Sequence, residues 1–548
     1  MQDLEQKLKE IIEGQTDTSD VALEHYSHDA SMFELVPKVI TYPKHSKDVQ
    51  SIVKFVAANK VANPDLSITA RSAGTDMSGA AVGESIILDF TEHFHEISDV
   101  NAESATVQPG VFYRDFELKT LEFGSYMPSY PASRDLCTIG GMVNNNSGGE
   151  KSLRYGKTEK YVTELKMVLA DGNEYVIRPL NKTELDAKIA QNDFEGNIYK
   201  QIYELVDQNY DKIKAAKPHV SKDSTGYHLW NIWDRETGVF DLTQLFVGAQ
   251  GTLGLMTESK LRLVPKAKHS GVLVCFLKDI SKLGPLINDV LTHNPESFEC
   301  FDDVTLGLSF KFFFSFRKRL GFKGLVELGW RLIPDALMLL RGVPKLILLI
   351  EFTGETPEGV TQKVHAMKQA LKPYNMAMEE DDTEAKSKKF WIMRRESFSL
   401  LRSKVKDKHT APFMDDLVVP PKNLPEFLPK IREVIKKYKL FATIAGHMGD
   451  GNFHIIPLMK IEDPKEKAKL EPAMREINAL ILQYEGSLSG EHNDGMIRGP
   501  WLGDMYGPEV LGYFKQAKQI LDPQNIFNPH KKTDSDWEFS MAHLREHF

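Results

Sequence analysis

The chain has 548 residues, of which 26% are charged and 41% hydrophobic, with 37 glycines, 27 prolines and a net charge of −9. Several ordinary domains of ~150 residues fit in that length and the composition is globular, so a disulfide-stapled miniprotein and a disordered chain are excluded. The negative charge argues against a nucleic-acid partner, whose backbone is gripped through a basic surface. Cys137, Cys275 and Cys300 stand far apart, which leaves no disulfide framework and no four-cysteine iron–sulfur site within the chain, and fits a reducing cytoplasm. Residues 1–14 form an acidic amphipathic run, with Leu4, Leu8, Ile11 and Ile12 at helical spacing, rather than the basic-then-apolar layout of an export signal. No stretch reaches the ~18 apolar residues of a spanning helix, so the expectation is a cytoplasmic protein, soluble or on the inner face of a membrane.

In chain order, residues 38–42 read as a strand, 46–58 as a helix, and 66–70 and 85–90 as strands, a short βαβ pattern. Residues 163–170 and 174–178 alternate around Asp171-Gly172, a hairpin signal. A polar, mainly helical region runs to about 237, and 244–265 closes the first unit, with a boundary near 266–270. An α+β pattern follows, with strands at 272–277 and 345–352 and helices at 357–371 and 382–406; the last part is largely helical. Three parts are therefore expected: 1–267, 268–470 and 471–548.

The run Arg71-Ser72-Ala73-Gly74-Thr75-Asp76-Met77-Ser78-Gly79 lies between two strands, with little room for the helix that a nicotinamide-type glycine fingerprint requires. Such a loop is either an ordinary turn or a nest of backbone N–H groups that suits a diphosphate. A second segment, Pro131-Ala132-Ser133 and Thr138-Ile139-Gly140-Gly141-Met142-Val143-Asn144-Asn145-Asn146-Ser147-Gly148-Gly149, then Tyr155-Gly156, offers close backbone approach to a large planar ligand. Further on come Ser224-Thr225-Gly226-Tyr227, Gly248-Ala249-Gln250-Gly251-Thr252-Leu253-Gly254 and Leu261-Arg262-Leu263-Val264-Pro265.

Together these motifs, over roughly residues 33–530, resemble the FAD-linked oxidases of the vanillyl-alcohol oxidase (PCMH-type) superfamily. The resemblance implies an α+β fold: a two-lobed PCMH-type FAD-binding domain (core about 33–267), an α+β substrate (cap) domain and a helical C-terminal part that returns to the flavin. It implies FAD contacts from Arg71, Ser72, Ala73, Gly74, Thr75 and Asp76, from Pro131, Ser133, Thr138, Gly140, Gly141, Asn146, Gly148, Tyr155 and Gly156, and from Gly251, Gly254 and Asn528. Ser72-Ala73-Gly74 stands where the family often has three glycines, and Gln250 where it usually has Glu. No histidine in the first loop and no loop cysteine suggests a covalent link, so non-covalent FAD is expected.

Residues 443–456 contain Asp450-Gly451, a two-residue hairpin signal that would set His447 opposite His454, close enough to chelate one ion. The alternative is a hydrogen-bonded histidine pair near a surface turn. Glu491 and His492 are adjacent, so in extended backbone they point opposite ways: Glu491 could complete a two-histidine, one-carboxylate site while His492 faces a substrate. A metal acidifies a hydroxyl and a histidine takes the proton at neutral pH. The pair of motifs is similar to that of the D-lactate, glycolate and D-2-hydroxyglutarate dehydrogenases of the superfamily, in which the two His and the Glu bind a divalent metal and the following His is the base. Zn, Mn and Fe all accept such ligands.

On the expected helix at 388–406, Arg395 and Ser399 share a face with Trp391 while Arg394 points elsewhere. Arg395 resembles the family's substrate-carboxylate arginine, with a solvated surface charge as the alternative. Met414 and Ile456 stand where the hydroxyglutarate enzymes carry a lysine and an asparagine, which implies a small 2-hydroxy acid such as D-lactate. Residues 308–346 carry clustered aromatics and a net +6 (eight Lys/Arg against Glu327 and Asp335), which suits either a membrane-facing surface or a cap-domain helix pair with a solvated basic face. On the membrane reading, a quinone is the natural electron acceptor, with a redox protein as the other choice. The expected function is FAD- and metal-dependent oxidation of a D-2-hydroxy acid. The rivals are D-2-hydroxyglutarate oxidation and a membrane-associated flavin electron-transfer or binding module without hydroxy-acid chemistry.

Overall fold

A computed structural model describes residues 2–311, 343–381, 391 and 408–546. The first lobe is a four-stranded sheet in the order Gln15–Asp17, Val39–Tyr42, Ile86–Asp89, Ile68–Arg71, the last three mutually parallel. Parallel strands need a long return path. The helix Ser46–Asn59, whose Val49, Ile52, Val53 and Val56 are fully buried, carries the chain to the far edge strand. The return, residues 72–85, contains no helix or strand, so it crosses the end of the sheet as bare backbone. That connection is the Gly/Ser loop singled out above.

The second lobe is an antiparallel five-stranded sheet in the order Ile97–Ser98, Ser104–Val107, Leu255–Arg262, Val162–Val168, Glu174–Ile177. The 168/174 pairing leaves residues 169–173 as the connection, longer than the Asp171-Gly172 turn expected. Helix Phe194–Gln208 covers this sheet, and helix Leu502–Leu521 returns from the C-terminal part to add Tyr513, Phe514, Ala517 and Leu521 to the same core.

The third unit is an eight-stranded antiparallel sheet, its path running Ala377–Asp381, His269–Leu277, Leu346–Gly354, Ser297–Asp302, Phe441–His447, Asn452–Met459, His409–Thr410, with Leu417–Val418 paired beside it. Helices Leu283–Thr292, Pro357–Ala370, Leu424–Lys437 and Leu470–Gln483 send their apolar stripes into one core with it. Arg394, Arg395, Ser399, nearly all of 382–406 and residues 312–342 of the basic segment lie outside the described residues. Among the described residues, no helix is long and apolar enough to cross a membrane.

Candidate active site

A cavity of about 820 Å³ runs between the sheets, bounded at one stretch by residues 70–77 and at another by Thr443, Ala445, His454, Ile456, Glu491 and His492. The strand Ile68–Arg71 ends at the first of these. Gly74 takes φ +64°, which permits the loop to fold back on Arg71. Among the described residues, no backbone N–H of residues 72–77 has a hydrogen-bond partner. Consecutive free N–H groups beside a cavity make an anion site, which is the chemistry a diphosphate requires. The Ser72 and Thr138 hydroxyls, 2.6 Å apart, tie this loop to the second wall. There Gly140 and Gly141 open the first turn of helix Ile139–Asn145, capped by Thr138. Gln250 uses both halves of its amide: Nε2 donates to Ser78 Oγ (2.9 Å) and Oε1 accepts from the Gly495 N–H (2.8 Å). A glutamate there could only accept.

At the other end the hairpin differs from the expected one. Met448–Asp450 form a single 3₁₀ turn and Gly451 takes φ +67°, so the loop is four residues long. The register therefore pairs His447 with Asn452 and Ala445 with His454, not His447 with His454. The two histidines are diagonal neighbours on one face, still within reach, with ring centroids 5.3 Å apart. The period of two assigns Thr443, Ala445, His447, Asn452, His454 and Ile456 to the site face, while Ile444, Phe453 and Ile455 enter the core.

Glu491 Oε1 lies 3.3 Å from His447 Nε2 and 3.2 Å from His454 Nε2. The opposite ring nitrogens are held by carboxylates: His447 Nδ1 by Glu299 (2.7 Å) and His454 Nδ1 by Asp415 (3.1 Å). His492 Nδ1 meets the second Asp415 oxygen at 2.7 Å, its ring stacked on His454 at 4.9 Å. Asp416 fixes the 491–492 backbone by accepting both N–H groups, at 2.9 and 2.7 Å. Two imidazole Nε2 atoms and a carboxylate oxygen within 4.8 Å of one another, each imidazole oriented by a carboxylate behind it, form a donor set that fits a divalent ion.

Glu299, Asp415, Asp416, Asp450 and Glu491 are buried around these rings, with Lys222 and Arg498 bonded among them. Burial pushes the His454 pKa down, but Asp415 outweighs it and lifts it to about 10. Against the same burial, Asp415 and Asp416 raise His492, while Lys222 and His447 hold Glu491 well below the carboxylate range.

Of the residues singled out from sequence, Arg71 to Asp76, Pro131, Ser133, Thr138, Gly140, Gly141, Gly148, Gly251, Gly254, His454, Glu491 and His492 line this one cavity. His447 lies just behind it, bonded to Glu491. Asn146, Tyr155, Gly156 and Asn528 do not line it. Asn146 is bonded to Glu159, Tyr155 approaches Glu296, a Cβ on Gly156 would meet Lys160, and Asn528 braces the floor by donating to the carbonyls of Ala80 and Gln250. Sequence reasoning missed Lys222, Glu299, Asp415 and Asp416. Its available signal was a carboxylate inside an apolar run, as in Phe413-Met414-Asp415-Asp416-Leu417-Val418 and Phe298-Glu299-Cys300-Phe301.

The FAD binding domain family matches residues 37–178 and the family of FAD linked oxidases, C-terminal domain, matches 266–532. The chain carries an FAD-binding domain followed by the C-terminal domain of FAD linked oxidases. It is 26% identical to a D-2-hydroxyglutarate dehydrogenase of Pseudomonas putida over 92% of this chain and 49% of that protein. It is 27% identical to the glycolate oxidase subunit GlcD of Bacillus subtilis over 93% of this chain and 92% of that protein. The chain spans about half the length of the relatives it matches in Pseudomonas putida, Pantoea ananatis and Escherichia coli. A 4-ethylphenol oxidase from Gulosibacter chungangensis has the same fold, with a TM-score of 0.69 at 13% identity over 98% of both chains.

Proposed function

We propose that this protein oxidises a D-2-hydroxy acid to the 2-oxo acid, using FAD in the cavity and a divalent cation on His447, His454 and Glu491. The observation that carries the reading is that the backbone nest and the histidine–carboxylate cluster open onto one cavity. Bound there, FAD supplies the two-electron acceptor for the C2–H bond and the cation supplies a Lewis acid for the hydroxyl. The chain's own part is positional and acid–base. Asp415 holds His492 Nδ1–H, which leaves Nε2, 3.8 Å from Glu491 Oε1, to take the hydroxyl proton. Arg395 is the proposed anchor for the substrate carboxylate, and a quinone or a redox protein the proposed final acceptor.

The wall beside His454 supports a small monocarboxylate. Thr305, Thr410, Thr443, Ala445 and Ile456, small or uncharged side chains, line it. D-2-Hydroxyglutarate is the second reading, favoured by the names of several relatives. Anaerobic mixing of the FAD-loaded protein with D-lactate, L-lactate or D-2-hydroxyglutarate separates them. Flavin bleaching fastest with D-lactate supports the first reading. Bleaching with D-2-hydroxyglutarate alone replaces it with the second, and bleaching with none contradicts hydroxy-acid oxidation.

A further inference from the structure

Lys222 lies in a segment with no regular structure, between the two matched family regions, yet its side chain is 0% exposed. Its Nζ donates to Glu491 Oε2 (3.1 Å), the Gly149 carbonyl (3.1 Å) and Asn452 Oδ1 (3.5 Å), with Asp450 Oδ2 at 3.6 Å. An ammonium has three N–H groups, so this one is saturated and fixed. The same Glu491 oxygen is closed off by the glycine wall, since a Cβ on Gly148 would come 3.2 Å from it. Only Oε1 faces the two imidazoles.

We propose that Lys222 is the positioning residue of the cation site: by occupying Oε2 it keeps Glu491 a one-oxygen ligand. This rests on the metal reading above and deepens it. Two imidazoles and one carboxylate oxygen leave the rest of the coordination sphere open, which a site that takes a substrate hydroxyl requires. Without Lys222, Glu491 is free to turn, to bind through both oxygens or to take a proton from a neighbouring histidine. Charge alone argues in the opposite direction, because an ammonium near a dication repels it. The sign of the change on removing Lys222 therefore decides between positioning and plain charge.

The experiment is a Zn²⁺ titration of the full-length, FAD-loaded protein after chelator treatment, comparing wild type with Lys222→Met, Lys222→Gln and Lys151→Met. Lys151 is a control buried lysine, 2.6 Å from Glu351 Oε2 and 3.7 Å from Glu296 Oε1, that tests for loss of a buried cation elsewhere. Loss of a group that orients a ligand typically weakens metal binding 10–100-fold. The Zn²⁺ Kd is expected to rise by about that factor in Lys222→Met. It should rise less in Lys222→Gln, which keeps an uncharged donor, and not at all in Lys151→Met, with flavin content intact throughout. If Lys222→Met fails to fold, the glutamine variant carries the same comparison. Zn²⁺ binding in the Lys222 variants that is as tight as wild type, or tighter, overturns the positioning role. A wild-type protein that takes up no Zn²⁺ overturns the metal reading itself, and this inference with it.

Discussion

The two ends of the cavity recognise by opposite means. Residues 72–77 offer backbone N–H groups, whereas the 447/454/491 end offers side chains, each braced by a further buried charge. A backbone site tolerates exchange of side chains as long as the chain can bend, as Gly74 does at φ +64°. A side-chain site tolerates almost no exchange, because removing one member strands its partners without water.

The largest effect should come from the proposed base. His492→Ala is expected to slow flavin reduction by the preferred 2-hydroxy acid by about 10²–10⁴-fold while FAD and metal content stay at wild-type levels, as read by anaerobic stopped flow. An unchanged rate would remove His492 from the chemistry. Next is Glu491→Ala, which takes from His447, His454 and Lys222 the carboxylate they share and leaves Lys222 with Asp450, Asn452 and the Gly149 carbonyl. Unfolding of the metal-free protein should become easier by roughly 3–5 kcal/mol, measured by denaturant titration.

The cradle should respond in the reverse pattern. A Cβ on Gly141 meets nothing closer than 3.6 Å, and the residue sits in a helix that lines the cavity. Gly141→Ala should therefore stabilise the FAD-free protein by about 0.5–1 kcal/mol and yet weaken FAD, since the added methyl fits beside the Thr138 and Ser72 hydroxyls and narrows the cavity they line. Equal FAD affinity would place the flavin elsewhere. Gly149 gives the contrast, because a Cβ there would lie 2.1 Å from the Tyr130 carbonyl and disrupts the protein itself.

A contrast away from the cavity comes from Lys531, whose ammonium burial pushes down from 10.5 to about 8. The folded state then binds fewer protons than the unfolded one between those values. Stability of the FAD-free protein should rise from about pH 8 to 10.5, by at most about 3 kcal/mol, and Lys531→Met should flatten that rise.

Much of the fold was legible because the hydrophobic periods are clean. Val39–Tyr42, Ser46–Asn59 and Ile86–Asp89 fall within a residue or so of where alternation and helical spacing put them. The hairpin at 447–454 differs from its expected register by two residues. Asp450-Gly451 was taken as the whole loop, but Gly451 supplies the left-handed residue that closes a longer one. The cluster survived the error because a diagonal pair shares a face as an opposed pair does. What could not be read was the layer behind the histidines: Lys222, Glu299 and Asp415 are distant in sequence, and only the packed sheet brings them to the rings.

The most direct test of the account is chelation of the FAD-loaded protein followed by anaerobic mixing with its preferred D-2-hydroxy acid, before and after return of Zn²⁺ or Mn²⁺. The account predicts that chelation leaves the flavin bound but abolishes its rapid reduction, and that the added ion restores it. Undiminished reduction in metal-free protein would contradict the joining of the two ends into one active site.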